Sequence, residues 1–160
     1  MLHMASYDIV FQEIPGEVTL ALNISGCPNR CPGCHSPHLQ EDIGEELTDD
    51  LLRGILQCYG ASVTLVCFMG GDAAPNEVER LSAFIRHTTG EKLKTGWYSG
   101  KTELPPDLNI GLFNYIKLGP YIEQLGGLNS DKTNQRLYKI QGVDLIDITR
   151  AFTTIGEGVR

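Results

Sequence analysis

Eight residues, CPNRCPGC at positions 27–34, constrain this chain more than any other stretch, because they set Cys27, Cys31 and Cys34 in a C-x3-C-x2-C array within one short loop. Pro28, Pro32 and Gly33 deny the segment a regular helix: proline lacks an N–H and clashes with the preceding turn, and glycine tolerates dihedrals that other residues avoid. The three sulfurs are then free to converge on something compact. Iron–sulfur clusters are held by cysteine thiolates and normally take four of them. A loop that supplies three leaves one iron of a cubane open, and an open coordination position is where metal sites do chemistry. The competing reading is a zinc knuckle completed by His35, Cys58 or Cys67. Zinc sites usually pair their ligands as C-x2-C with a second distant pair, and this sequence holds no second pair.

With 160 residues the chain suits one domain, 1–160, with a real core. Thirteen basic against 20 acidic residues give a net charge of -7, which argues against a nucleic-acid partner and against an anionic membrane surface. No apolar run approaches the roughly 20 residues of a spanning helix, and MLHMASYD lacks a basic region followed by an apolar one, so a cytoplasmic protein is expected. Five cysteines there read better as metal ligands than as disulfides. Cys58, in the helical pattern LLRGILQCYG, and Cys67, in the apolar run SVTLVCFMGG, are left as small apolar side chains.

Along the chain, residues 7–14 alternate weakly and predict a first strand. Residues 17–26 predict a firmer one, with Val18, Leu20, Leu22 and Ile24 at period two. The cysteine loop follows directly, then a solvated loop over 36–46. Thr48 is placed to cap a helix with two acids in its first turn. SVTLVCFMGGD reads as a strand buried on both faces, and PNEVERLSAFIRHTTG as a helix opened by Pro75 and stopped by Gly90. KLKTGWYSG, LFNYIKLG and QRLYKIQ predict further strands, and the residues from about 151 are expected to be loosely held. Strand–helix alternation predicts an α/β fold with a mostly parallel sheet. Its carboxyl edge would carry both the cysteine loop and the turn after Gly70, where α/β proteins bind ligands. A flavodoxin-like sheet satisfies this pattern as well as an open barrel does.

C-x3-C-x2-C after a strand resembles the signature of radical S-adenosylmethionine enzymes, and the chain as a whole is similar to one small branch, the activating enzymes of anaerobic ribonucleoside-triphosphate reductase. The likeness runs through the cysteine loop, MGGD at 69–72, WYSG at 97–100, YIKLGPY at 115–121 and TNQRLY at 133–138. It implies an open, partial (β/α)6 barrel, with a [4Fe-4S] cluster on Cys27, Cys31 and Cys34 and S-adenosylmethionine on the open iron. It also implies that MGGD meets the cofactor's amino group, making Gly70, Gly71 and Asp72 cofactor residues. The wider superfamily has an aromatic residue just before the third cysteine, where its backbone meets the adenine. Here Gly33 stands in that place, and His35 or Tyr98 is left to stack on the ring.

Asn23, Ser25 and Ser99, on or at the ends of strands, are candidates to meet the cofactor or to satisfy local backbone groups. Lys117 on a core strand needs an anionic partner if buried, and the cofactor carboxylate would serve; a solvated strand face is the alternative. Asn134, Gln135 and Arg136 are candidates for a cofactor or partner face, or a surface turn. No acid–base catalyst is required, since the chemistry belongs to cluster and cofactor. The implied activity is reductive cleavage of S-adenosylmethionine to form a glycyl radical on the large anaerobic ribonucleotide reductase subunit, with an external reductant such as flavodoxin or ferredoxin. The alternatives are activation of another glycyl-radical enzyme, a small radical enzyme acting on a metabolite, and a non-catalytic zinc-binding interaction module.

Overall fold

The computed structural model describes residues 2–29, 39, 41 and 43–151. Among them eight strands form one sheet: β1 (His3–Val10), β2 (Thr19–Ile24), β3 (Glu45–Glu46), β4 (Leu65–Met69), β5 (Lys94–Tyr98), β6 (Tyr115–Leu118), β7 (Arg136–Gln141) and β8 (Asp144–Asp147). Their order across the sheet is β3-β1-β2-β4-β5-β6-β7-β8. The four central strands β2, β4, β5 and β6 run parallel, and the four remaining pairings are antiparallel. The sheet is therefore mixed where strand–helix alternation predicts a mostly parallel one. The reason is local. β1 reaches β2 through residues 11–18 without a helix, β7 follows an irregular stretch, and β8 returns through a turn at Gly142, so no crossover makes these neighbours parallel.

Two helices join the central strands. Helix α1 (Asp49–Tyr59) begins where Thr48 Oγ1 accepts the Leu51 N–H, with Asp49 and Asp50 in its first turn. Helix α2 (Pro75–Thr88) has proline in its first turn and runs out just before Gly90, whose φ of 60° is left-handed. Both helices bury their apolar sides against one face of the sheet: Leu52, Ile55 and Leu56 from α1, and Val78, Leu81 and Ile85 from α2, join Leu20, Leu22, Ile24, Phe68, Trp97 and Ile116. Leu22, Phe68, Trp97 and Ile116 lie in register across β2, β4, β5 and β6, so they share that face. The other face holds a smaller cluster of Ile14, Leu65, Cys67, Tyr115 and Leu137. Ile14 comes from the connection after β1. That strand ends at Val10, four residues before the predicted stretch does, and residues 11–14 turn over the sheet instead of extending it.

At the amino ends of the parallel strands, buried Glu17 acts as a staple. Its carboxylate accepts from Thr64 Oγ1 at 2.7 Å, Lys94 Nζ at 2.7 Å and Tyr115 Oη at 2.9 Å. These residues precede or open β4, β5 and β6, so one side chain ties the four parallel strands at one end. Burial pushes the Glu17 carboxyl up, but the bonds from Lys94, Thr64 and Tyr115 outweigh it, and the group sits below the ordinary carboxylate range. Burial and the Glu17 charge push the Tyr115 phenol the other way, to about 12.

A group whose carboxyl is lowered by folding contributes stability that is complete above its unfolded pKa and is lost as pH falls through the lowered folded value. Glu17→Ala is expected to cost about 3 kcal/mol in urea unfolding of the metal-free chain at neutral pH, since it leaves three donors without their acceptor. The gap between the two proteins should narrow when the titration is repeated at acid pH; a gap independent of pH would show that the ionised carboxylate is not what holds the strands.

Candidate functional site

The carboxyl ends of β2, β4 and β5 meet around the carboxylate of Asp72. Asp72 Oδ1 accepts from Ser99 Oγ at 2.6 Å, and Oδ2 accepts from the Gly100 N–H at 2.8 Å and from Asn29 Nδ2 at 2.6 Å. Asn29 Nδ2 also lies 3.5 Å from Cys27 Sγ. Three segments far apart in sequence, the cysteine loop, the turn after β4 and the turn after β5, are thus joined through one side chain. Hydrogen bonds to an ionised carboxylate are each worth about 1.5–3 kcal/mol net, which is enough to hold loops that have little apolar packing of their own.

Both glycines before Asp72 are left-handed, with φ of 116° at Gly70 and 100° at Gly71. A Cβ on Gly70 would come to 3.0 Å from the Ile24 carbonyl oxygen, and one on Gly71 would come to 2.5 Å from Val78 Cγ2. The chain therefore turns sharply from β4 toward α2, close against Ile24 of β2 and Val78 of α2, where a side chain would be strained. The Gly70 carbonyl accepts the indole N–H of buried Trp97 at 2.8 Å, and the Gly71 carbonyl accepts the Ala74 N–H at 3.0 Å. Each carbonyl keeps a second lone pair.

The base of the cysteine loop is closed by backbone bonds. The Gly26 N–H donates to the Glu41 carbonyl at 2.9 Å and the Cys27 N–H to the Leu39 carbonyl at 2.8 Å. Ser25, buried, donates through Oγ to the Ile43 carbonyl at 2.6 Å, so it takes part in this closure. Cys31, Cys34, Gly33 and His35 lie outside the described residues, as does the segment expected to be loosely held after 151.

Lys117 is buried on β6. Its Nζ donates to the carbonyls of Ser99 at 3.1 Å and Gly119 at 2.9 Å and lies 5.7 Å above the Tyr98 ring. It is thereby linked to the Asp72 group through Ser99. Tyr98 is committed elsewhere: its hydroxyl donates to the Glu13 carbonyl, and burial pushes its phenol well up. Gln135 Nε2 shares the Gly119 carbonyl with Lys117, at 3.4 Å, and Asn134 Nδ2 donates to the Pro120 carbonyl at 3.0 Å. Asn134 Oδ1 is buried with no hydrogen-bond partner among the described residues. Arg136 faces solvent, 3.6 Å from Asp147.

Asn23 does not join these residues. Its amide donates to Ser6 Oγ at 2.9 Å and reaches Asp8 Oδ2 at 3.5 Å, both on β1. Cys67 is fully buried, and its burial pushes the thiol far up, as suits an inert apolar filler, whereas Cys58 is exposed on α1. Among the described residues no three His, Cys, Asp or Glu side chains are placed to hold a metal ion, so Cys27, Cys58 and Cys67 form no zinc site together. Beside Asp72 and Ser99 a cavity of about 460 Å³ opens, walled further by Trp97, Pro75, Lys101 and Glu103.

Two residues of this site, Asn29 inside the cysteine loop and Gly100 at the end of WYSG, have no role of their own that the sequence pattern assigns. Only the fold brings them within reach of each other.

A cysteine loop pinned at its base, with an N–H aimed at its first sulfur, is a donor set suited to an iron–sulfur group. A family model described as a 4Fe-4S single cluster domain matches residues 15–105, more than half of the chain, and the chain belongs to that family. The matched span includes the cysteine loop and the whole Asp72 group. No curated protein and no solved structure matches the chain. No helix among the described residues is long and apolar enough to cross a membrane.

Gly71→Ala is expected to destabilise the metal-free chain by about 2 kcal/mol, combining a left-handed dihedral with an overlap against Val78. Adding Val78→Ala should remove the overlap and not the dihedral, so the double mutant should lose less than the sum of the singles, by about 1 kcal/mol. Strict additivity in urea titrations would mean that the close approach at Val78 does not matter.

Proposed function

We propose that this chain is a radical S-adenosylmethionine activase, similar to those of anaerobic ribonucleoside-triphosphate reductase, with a [4Fe-4S] cluster held by Cys27, Cys31 and Cys34. The observation that carries the reading is the tie from Cys27 through Asn29 to Asp72 and Ser99, which sets the first cysteine beside the MGGD turn and the cavity next to it. A carboxylate in the wall of that cavity suits an ammonium group, and S-adenosylmethionine brings one. Three donors already fix the Asp72 carboxylate, so it meets the cofactor pre-oriented, with a lone pair to spare. Gly70 and Gly71 keep side chains out of the turn, and Lys117 with Ser99 holds the neighbouring strand end in place. A cluster held by Cys27, Cys31 and Cys34 would supply the one-electron chemistry for reductive cleavage of S-adenosylmethionine and, through it, for radical formation on a glycine of the partner. Among the described residues both α-helices pack on one face of a sheet with parallel central strands; this supports a partial barrel over a flavodoxin-like sheet, which carries helices on both faces. The partner would be the large reductase subunit, and an external one-electron donor completes the system.

Anaerobic reconstitution is expected to give about four iron atoms per chain, lost in Cys27→Ala, Cys31→Ala and Cys34→Ala and kept in Cys58→Ala and Cys67→Ala. The reduced protein should then convert S-adenosylmethionine to methionine and 5′-deoxyadenosine. With the cognate reductase it should produce a glycine-centred doublet in the electron paramagnetic resonance spectrum, absent when the partner's radical glycine is alanine. Cleavage stimulated by a small metabolite and no doublet with the wild-type pair would replace the activase by a metabolite enzyme. Zinc in place of iron in anaerobically purified protein would replace both.

A further inference from the structure

We propose that Asn29 is a positioning residue that hydrogen-bonds the Cys27 sulfur and, through Asp72, couples the cluster's first ligand to the turns after β4 and β5. The inference rests on the assignment of Cys27 as a cluster ligand made above, and it adds a residue that tunes the cluster without touching its iron.

The geometry fixes which end of the amide does this. Asn29 Nδ2 lies 2.6 Å from Asp72 Oδ2 and 3.5 Å from Cys27 Sγ. A carboxylate accepts only, and a thiolate accepts, so the amide must present its two N–H groups to the pair and turn its oxygen away. Asp72 is itself held by Ser99 Oγ and the Gly100 N–H. Asn29 therefore has one N–H on a fixed anchor and its other N–H toward the sulfur.

Gly100 gives an independent sign that the fold keeps space for this contact. A Cβ there would stand 2.5 Å from Asn29 Nδ2, 3.1 Å from its Cγ and 3.4 Å from Asp72 Oδ2. Gly100 is not among the glycines with a left-handed φ, so its backbone does not demand glycine, and the missing side chain serves the close approach of Asn29.

Hydrogen bonds to cluster sulfurs are among the factors that set cluster potentials. An N–H directed at a ligating sulfur stabilises negative charge, and the reduced cluster carries one more negative charge than the oxidised. Removing the N–H should thus lower the potential. It should also loosen the first ligand, since residues that orient a ligand typically carry a ten- to hundredfold effect on metal affinity.

The test uses the whole chain reconstituted with iron and sulfide, without S-adenosylmethionine, as wild type, Asn29→Ala, Gly100→Ala and the remote control Cys58→Ala. Gly100→Ala leaves the amide in the chain but displaces it, so it separates loss of the contact from loss of the residue. Redox titration followed by electron paramagnetic resonance reads the potential, and iron remaining after a chelator challenge reads retention. Asn29→Ala is expected to lower the reduced-to-oxidised ratio at a fixed potential about tenfold, or ~59 mV for one electron, and to lose iron about tenfold faster. Gly100→Ala should shift both in the same direction, and Cys58→Ala neither. Wild-type potential and retention in both Asn29→Ala and Gly100→Ala would overturn the inference while leaving the cluster assignment standing. A wild-type chain that takes up no iron–sulfur cluster would overturn the inference together with that assignment. A chain that shows the shifts but, in a separate reaction with S-adenosylmethionine added to the reduced protein, cleaves none of it would sustain the inference and defeat the activase reading.

Discussion

The Asp72 carboxylate is the interaction on which the rest of this site depends. Loops at the carboxyl edge of a sheet have no ladder to hold them, and here the turns after β2, β4 and β5 have few apolar side chains to bury. One carboxylate with three donors replaces that missing packing: the hydroxyl of Ser99, the N–H of Gly100 and the amide of Asn29. Because the bonds are directional, they fix orientation as well as proximity, which apolar contact does less well. Removing Asp72 would leave Asn29 with no anchor at its far end, and the effect would be felt at Cys27.

The two ends of the parallel strands are built on the same principle with opposite consequences. Glu17 at the amino ends is buried and paired with Lys94, Thr64 and Tyr115. Asp72 at the carboxyl ends is only half-buried, and a cavity adjoins it. A closed carboxylate network serves stability, whereas one with a lone pair and open space beside it can meet something else. The glycines sharpen the contrast. Gly70, Gly71 and Gly100 gather at the carboxyl end, and each lets another part of the chain come closer than any side chain would permit.

How much of this was legible in the sequence follows from the range of the forces involved. Thr48 and Pro75 act on their own helices, and both mark the starts that the structure shows. Leu20, Leu22 and Ile24 alternate on one buried face because burial imposes period two locally. The pairing direction of β1, β7 and β8 is set by how each connection returns to the sheet, which no local period encodes. The hairpin partner β8, DLID, has every residue exposed and so carries no apolar alternation to betray it. Asp72 was legible as a site residue from its place after two glycines. Of its partners, Ser99 was legible at the end of a strand; the other two were not, because Asn29 in a loop reads as one more polar residue, and Gly100 as one more turn. Asn23 shows the converse: its place on the strand feeding the loop suggested the site, but residue alternation turned it toward Ser6 and Asp8.

The closure of the loop's base adds a last step. Cys27 and Leu39 are joined by a backbone bond across the eleven residues between them, and Gly26 and Glu41 by another. Bringing the ends of a free segment of that length together costs roughly 2 kcal/mol by the logarithmic law for loops. In this chain the cost is met by the sheet-edge bonds of the folded protein before any metal arrives. Asn29 then restrains the first residues inside the loop from one side, through Asp72. Ligand binding energy that would go into gathering a floppy segment is left for holding the cluster, and what Cys27 experiences depends on strands β4 and β5 as much as on its own loop. A substitution at Gly100, seventy-odd residues along the chain, is therefore expected to act at a cysteine.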